Sequence, residues 1–203
     1  MIKALLTSTY FGPVQWYQKL NRYTDCLIEC HDSYLKQTYR NRCLIATANG
    51  IQALSVPIEK YDGQKCEMKD IRISDHGNWR HLHWNALMSA YGESPFFEFY
   101  ADELHPFFEK KWDFLLDFNM EITQKMCDLI DIHPHISFTK EYDTSMKEIK
   151  DFRELIRPKH PLGDDDFTEI PYYQVYKQKF GFQKNLSILD LLLNEGNESI
   201  YFL

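Results

Sequence analysis

Ile2-Lys3-Ala4-Leu5-Leu6-Thr7-Ser8-Thr9-Tyr10-Phe11-Gly12-Pro13, continued by Val14 to Tyr23 and Asp25-Cys26-Leu27-Ile28-Glu29-Cys30, is the stretch that decides the fold. Ile2 to Ser8 reads as a short apolar strand, and Thr9 to Gly12 as a turn. Pro13 suits the first position of a helix through about Tyr23, because its missing N–H costs nothing there. Asp25 to Cys30 reads as a second strand. Strand, turn, helix and strand within about thirty residues is a βαβ unit with parallel strands, so the expected class is α/β with a mixed sheet.

Outward from this unit the pattern turns to a hairpin. Arg42 to Ala48 and Ile51 to Ile58 are β-type runs joined by Asn49-Gly50, the pair that tolerates the positive φ angles of a tight hairpin turn. Pro57 marks an edge or a strand end. Met68 to Ser74 reads as another strand. Helices follow. Asp75 is placed to cap one from about Gly77 to Tyr91, with Gly92 as its stop. Trp79, Leu82, His83, Ala86, Leu87 and Ala90 form one stripe of that helix, and Trp84, Met88 and Tyr91 a second. An apolar surface on both sides implies a sandwiched helix or a subunit interface, hence a possible homodimer. A further helical stretch opens at Pro95 and breaks at His105-Pro106, and Phe107 to Ile130 carries apolar residues at helical spacing. Ile136 to Glu141 reads as a strand. Residues 157–171 hold three prolines and Gly163-Asp164-Asp165-Asp166, a long surface loop. Ser187 and Asp190 give an S-x-x-D cap on a helix to Asn194, stopped by Gly196. No repeat or low-complexity tract divides the chain, so one domain over 1–203 is expected.

Composition narrows the function classes. The chain has 203 residues, 44% hydrophobic and 15% aromatic, which excludes disordered and collagen-like classes. A net charge of −7 argues against nucleic acid as a partner. No apolar run reaches the ~20 residues of a membrane span, and the N-terminal run is too short for a signal peptide. Five cysteines without a C-x-x-C pair fit reduced, mostly buried thiols and a cytoplasmic location. The glycine-rich phosphate loops, H-E-x-x-H and G-x-S-x-G are all absent, and no motif names a cofactor.

Three features carry candidate chemistry. Lys36-Gln37-Thr38-Tyr39-Arg40-Asn41-Arg42 places three cations within seven residues of an acidic chain. If extended, Lys36, Thr38, Arg40 and Arg42 share a face that suits a phosphate or carboxylate; a solvated strand face is the plain alternative. His81 and His83 lie about 200° apart on a helix and cannot share a metal ion, so no metal site is expected. His83, beside Trp79 on the apolar stripe, is either a buried hydrogen-bonded ring or a ligand-facing one. Tyr10 sits at the carboxyl end of the first strand, where open α/β sheets bind ligands. Asp164 to Asp166 read as a solvated loop tip.

Several of these segments together resemble the WbqC-like family: Ser8 to Pro13, Tyr34 to Arg42, Asn49-Gly50 with Leu54-Ser55-Val56-Pro57, Trp79 and His83, Tyr173-Gln174, and Asn185 to Gly196. Some members resemble products of surface-polysaccharide (O-antigen) gene clusters labelled as glycine transferases. Longer relatives carry an extra α/β segment that is reduced here to 157–171. The resemblance implies an acyl or aminoacyl transferase acting on a sugar precursor. Tyr10 and His83 are then the catalytic candidates, His83 as general base. Lys36, Arg40, Asn41, Arg42, Trp79, Gln174 and Asp190 are the candidates for binding a small anionic ligand. A non-catalytic binding or scaffold protein, dimeric through Trp84, Met88 and Tyr91, is the alternative.

Overall fold

In a computed structural model, residues 3–63, 65–143, 148–159 and 162–203 are described. The first strand, β1 (Lys3–Thr7), turns through Thr9–Pro13 into α1 (Val14–Arg22) and returns as β2 (Asp25–Glu29), paired parallel to β1. The βαβ expectation holds; Ile2 lies outside the described residues. Pro13 takes the cap position rather than the first helical turn. Its extended ψ of 161° lets it bridge to Ser187 instead. The turn is tight: a Cβ on Gly12 would stand 2.3 Å from the Thr9 hydroxyl oxygen, so only glycine fits.

The hairpin forms as expected, β3 (Arg42–Thr47) against β4 (Gly50–Ser55), with Gly50 at φ +103°. Downstream, α2 (Trp79–Tyr91), α3 (Phe97–Leu104), α4 (Pro106–Glu109) and α5 (Leu115–Ile130) lead to β5 (His135–Phe138) and β6 (Ile149–Asp151). Two short helices, α6 (Lys177–Phe180) and α7 (Ile188–Glu195), and a 3₁₀ stretch over Gly196–Phe202 close the chain. The α/β class, hairpin and covering helices are all present, with the two strand directions parted between sheets. One sheet is four-stranded and parallel, in the order β5-β2-β1-β6; the hairpin is the other. Parallel pairing buries β1 on both faces, which is why its run Ala4 to Thr7 is unbroken by an exposed residue. The buried side chains form a continuous cluster from Ala4 to Leu193.

Several local expectations are corrected. Residues 68–74 are a 3₁₀ turn, Met68–Asp70, followed by single bridges of Ile73 to Ile58 and Arg72 to Phe114, rather than a strand. Those bridges also interrupt the helix read over 107–130. Ile73 N–H donates to the Asp113 carbonyl and Leu115 N–H to that of Ile71, holding the segment before Leu115 extended. Asp75 does not cap α2; it pairs with Arg80 (2.6 Å) and Lys111 (2.8 Å). Lys36 to Arg40 form turns rather than an extended strip. Leu82 is exposed, while Tyr91 is buried and Trp84 packs on Phe97, His105 and Phe108 within the chain. The loop 157–171, apart from His160 and Pro161 outside the described residues, lies at the surface with Leu162, Gly163 and Asp165 exposed, but two of its acids are anchored. Asp164 pairs with the buried Lys19 at 2.7 Å, and Asp166 accepts from the Tyr23 hydroxyl. Ser187 does cap α7, accepting from Leu189 N–H, whereas Asp190 turns into the core.

Candidate functional site

The strand order locates the site. From β1 the chain moves to β2 and then β5 on one side, whereas β6 is added on the other. The carboxyl ends of β1 and β6 therefore flank the point where the connections diverge, the place where open parallel sheets leave a ligand crevice. A hollow of about 510 Å³ opens there, with an adjoining one of about 50 Å³ that reaches Thr7. Arg40 and Arg153 line both.

The floor of the crevice is a lattice of charges, buried except for the exposed Asp151. Arg153, just past β6, donates to Glu29 at 2.8 Å and to Asp151 at 2.7 Å, and the Tyr142 ring covers its guanidinium at 4.9 Å. Glu29, fully buried at the end of β2, also accepts from the Thr139 hydroxyl and the His31 N–H, both at 2.9 Å. Arg153 is thereby saturated and rigid. Arg40, only 3% exposed, pairs with Asp32 in a close contact, and its Nη1 reaches the Thr38 hydroxyl. Its Nε and the Asp32 Oδ1 are both buried and find no hydrogen-bond partner among the described residues. Such orphaned groups are costly and mark places where a polar partner is wanted. Burial raises the Asp32 carboxyl above the ordinary 3.8, and Arg40 offsets part of that. Lys65 and Arg157 add cations at the rim.

The sequence-predicted residues fall into four groups. Arg40 lines the crevice. Lys36 is exposed on the turn before it, and Arg42 and Asn41 bind the hairpin, donating to the Ser55 hydroxyl (3.0 Å) and the Val56 carbonyl (2.8 Å). Tyr10 and His83 meet: the hydroxyl lies 2.8 Å from Nδ1, inside a ring cluster with Trp79 and Phe118. Burial lowers the His83 pKa to about 4, so the ring is neutral at pH 7. Tyr10 touches the crevice region through its backbone, whose N–H donates to the Tyr39 carbonyl at 2.9 Å. Gln174 and Asp190 form a separate buried knot, in which the carboxylate accepts from Tyr91, Tyr172 and Gln174. Burial raises its pKa to about 6.

Glu29, Asp32, Asp151 and Arg153 were not singled out from the sequence. Glu29 and Asp32 carried a usable signal, because Glu29 ends and Asp32 closely follows the second strand of a βαβ unit. Asp151 and Arg153 carried none, since the three-residue β6 has no apolar run. Among the described residues, no group of three or more His, Cys, Asp or Glu side chains is placed to hold a metal ion, and the cysteines are free. No helix of the described residues is long and apolar enough to cross a membrane.

The model of the WbqC-like protein family matches residues 8–159 of this chain. The chain belongs to that family. Its WbqC-like match starts in the β1–α1 turn and ends beyond Arg157, so it takes in Glu29, Asp32, Arg40, Asp151 and Arg153; Gln174 and Asp190 fall outside it. The chain is also 25% identical to the uncharacterized protein Rv1507c of Mycobacterium tuberculosis (strain ATCC 25618 / H37Rv), over 98% of its own length and 96% of that protein. No solved structure matches this WbqC-like chain significantly.

Proposed function

We propose that this WbqC-like protein is a cytoplasmic, single-domain transferase that binds a small donor by its phosphate or carboxylate in the β1–β6 crevice. The group transferred is acyl or aminoacyl, glycyl by the family resemblance, and the acceptor is a sugar precursor of a surface polysaccharide. The observation that carries the reading is the buried Arg40–Asp32 pair at the switch point, each partner with a polar atom unused among the described residues. Arg40, with Lys65 at the rim, holds the anionic group. Asp32, whose carboxyl is raised by burial, takes the proton from the acceptor nucleophile as its new bond to the donor carbonyl forms. The bond from that carbonyl to the phosphate-bearing or carboxylate-bearing carrier breaks, and the carrier leaves with the electron pair. Arg153, locked by Glu29 and Asp151, fixes the crevice wall. Tyr10, His83 and Trp79 act through the turn that carries Tyr39 and Arg40, and Asn41 and Arg42 hold that turn to the hairpin.

The test is a thermal-shift panel of nucleotides, nucleotide sugars, coenzyme A thioesters and amino acids, with and without magnesium. A ligand at ~100 times its Kd adds roughly 2.7 kcal/mol, a shift of several degrees. The expected hit is lost in Arg40→Gln/Asp32→Asn, which removes both charges together and so leaves neither one buried alone. A hit that survives the double substitution refutes the site. Silence across the panel, from protein that melts cooperatively, returns the weight to a non-catalytic scaffold.

A further inference from the structure

A second hollow lies on another part of the molecule, between α3 and the end of α7. It measures about 440 Å³ and is lined by Phe96, Phe99, Tyr100, Glu195, Asn197 and Glu198. Two kinds of side chain line it. One is aromatic: the Phe99 and Tyr100 rings stand 4.9 Å apart, edge to face, with Phe96 at 6.5 Å from Tyr100. Phe99 is 72% exposed. The other is the pair of carboxylates, Glu195 and Glu198. The last turn of α7 holds no basic residue, and the chain runs on from it into the 3₁₀ stretch Gly196–Phe202 that carries Asn197 and Glu198. Among the described residues, no lysine, arginine or histidine lines the hollow.

The lining is tied together before any ligand arrives. Phe96 N–H donates to the Leu193 carbonyl at 3.1 Å, and the Tyr100 hydroxyl donates to Asn197 Oδ1 at 2.9 Å. Glu195 accepts from the Tyr173 N–H at 2.6 Å, which fixes its side chain. Ring faces and carboxylates lining a preformed hollow attract the same species. The π-faces favour a large, weakly hydrated cation with apolar substituents, and the carboxylates supply the opposite charge. A bare metal ion needs oxygen ligands on all sides, and Phe96 and Phe99 of the lining supply none. An anion would meet like charge.

We propose that this hollow binds an organic ammonium cation, with the alkyl groups against Phe99 and Phe96 and the charge toward Glu195 and Glu198. The site is separate from the β1–β6 crevice and does not depend on the function assigned there. The same ammonium chemistry occurs in a free amine and in the lysine side chain of a partner protein.

Amide NMR of the intact protein tests it, with tetramethylammonium, n-butylamine and an acetylated Gly-Lys-Gly amide peptide as probes. Saturable shifts confined to residues 96–100 and 195–198 are expected with the cations, and weaker ones at 0.5 M than at 0.05 M salt. Phe99→Ala and Glu198→Gln are both at exposed positions, so folding is retained, and each is expected to weaken binding by about tenfold. Tighter binding of the peptide than of n-butylamine assigns the cation to a protein side chain; the reverse assigns it to a small molecule. Neopentyl alcohol, the neutral counterpart of tetramethylammonium, should not bind. Equal shifts with that alcohol, or cation shifts unchanged in both variants, overturn the proposal, as does the absence of any saturable shift.

Discussion

His83 offers a sharp test of how the core is wired. Its ring is 6% exposed, lies 2.8 Å from the Tyr10 hydroxyl and packs on Trp79, and burial lowers its pKa from the ordinary 6.5 to about 4. With the folded pKa below the unfolded one, the unfolded chain binds a proton that the native state refuses. Stability from this group is therefore complete above pH 6.5 and falls as the pH drops toward 4. The window spans about 2.5 pH units at roughly 1.4 kcal/mol each, so the loss is about 3 kcal/mol. Urea unfolding of the natural protein and of His83→Gln, from pH 8 to pH 4, isolates the contribution. Removing the imidazole from its packing against Tyr10 and Trp79 gives an offset that does not change with pH, whereas the slope belongs to the titration. The difference between the two proteins should shrink by about 3 kcal/mol between pH 7 and pH 4, a relative midpoint change of about 1 M urea or more. Parallel curves across that range would refute the argument, because a ring that titrates near its ordinary value cannot be held neutral by burial.

Asp190 moves the other way. Its carboxyl is raised from 3.8 to about 6, so its contribution is present below pH 3.8 and lost as the pH rises through 6. Relative to Asp190→Asn, the natural protein should gain about 3 kcal/mol between pH 7 and pH 4, read by the same urea series. Lys19→Ala should cost about 3–5 kcal/mol, because it leaves Asp164 charged and buried, and Lys19→Met/Asp164→Asn should recover much of that; thermal unfolding decides. Gly50→Ala should cost about 1 kcal/mol for its positive φ alone, since no atom lies near its Cβ position. Gly12→Ala should cost more, because the new Cβ meets the Thr9 side chain.

These residues also mark where the sequence was legible. The βαβ opening and the Asn49-Gly50 hairpin were readable because local pattern and tertiary fold agree there. The helix over 107–130 misled because its apolar spacing continues through 110–114, while bridges from residues 71–73, distant in sequence, hold that segment extended. β6 was invisible, since Ile149-Lys150-Asp151 is a strand only by pairing with β1. In the site, Arg40 was legible as part of a cationic run, but its neighbours Lys36 and Arg42 point to other tasks once the run folds as turns. The acids that pair with the two arginines come from two distant segments, Glu29 and Asp32 at and just past the end of β2 and Asp151 at the end of β6. Only the sheet order brings them together.

The central claim is that the β1–β6 crevice holds an anionic group on Arg40. The most direct measurement is the Arg40 Nε–H resonance of the labelled protein, assigned with Arg40→Gln/Asp32→Asn and titrated with the strongest hit of the thermal panel. A saturable shift of that signal, at the same midpoint as the amide shifts of Thr7 and Arg153, is the predicted result. Full saturation of the protein with the Arg40 signal unmoved would contradict the account.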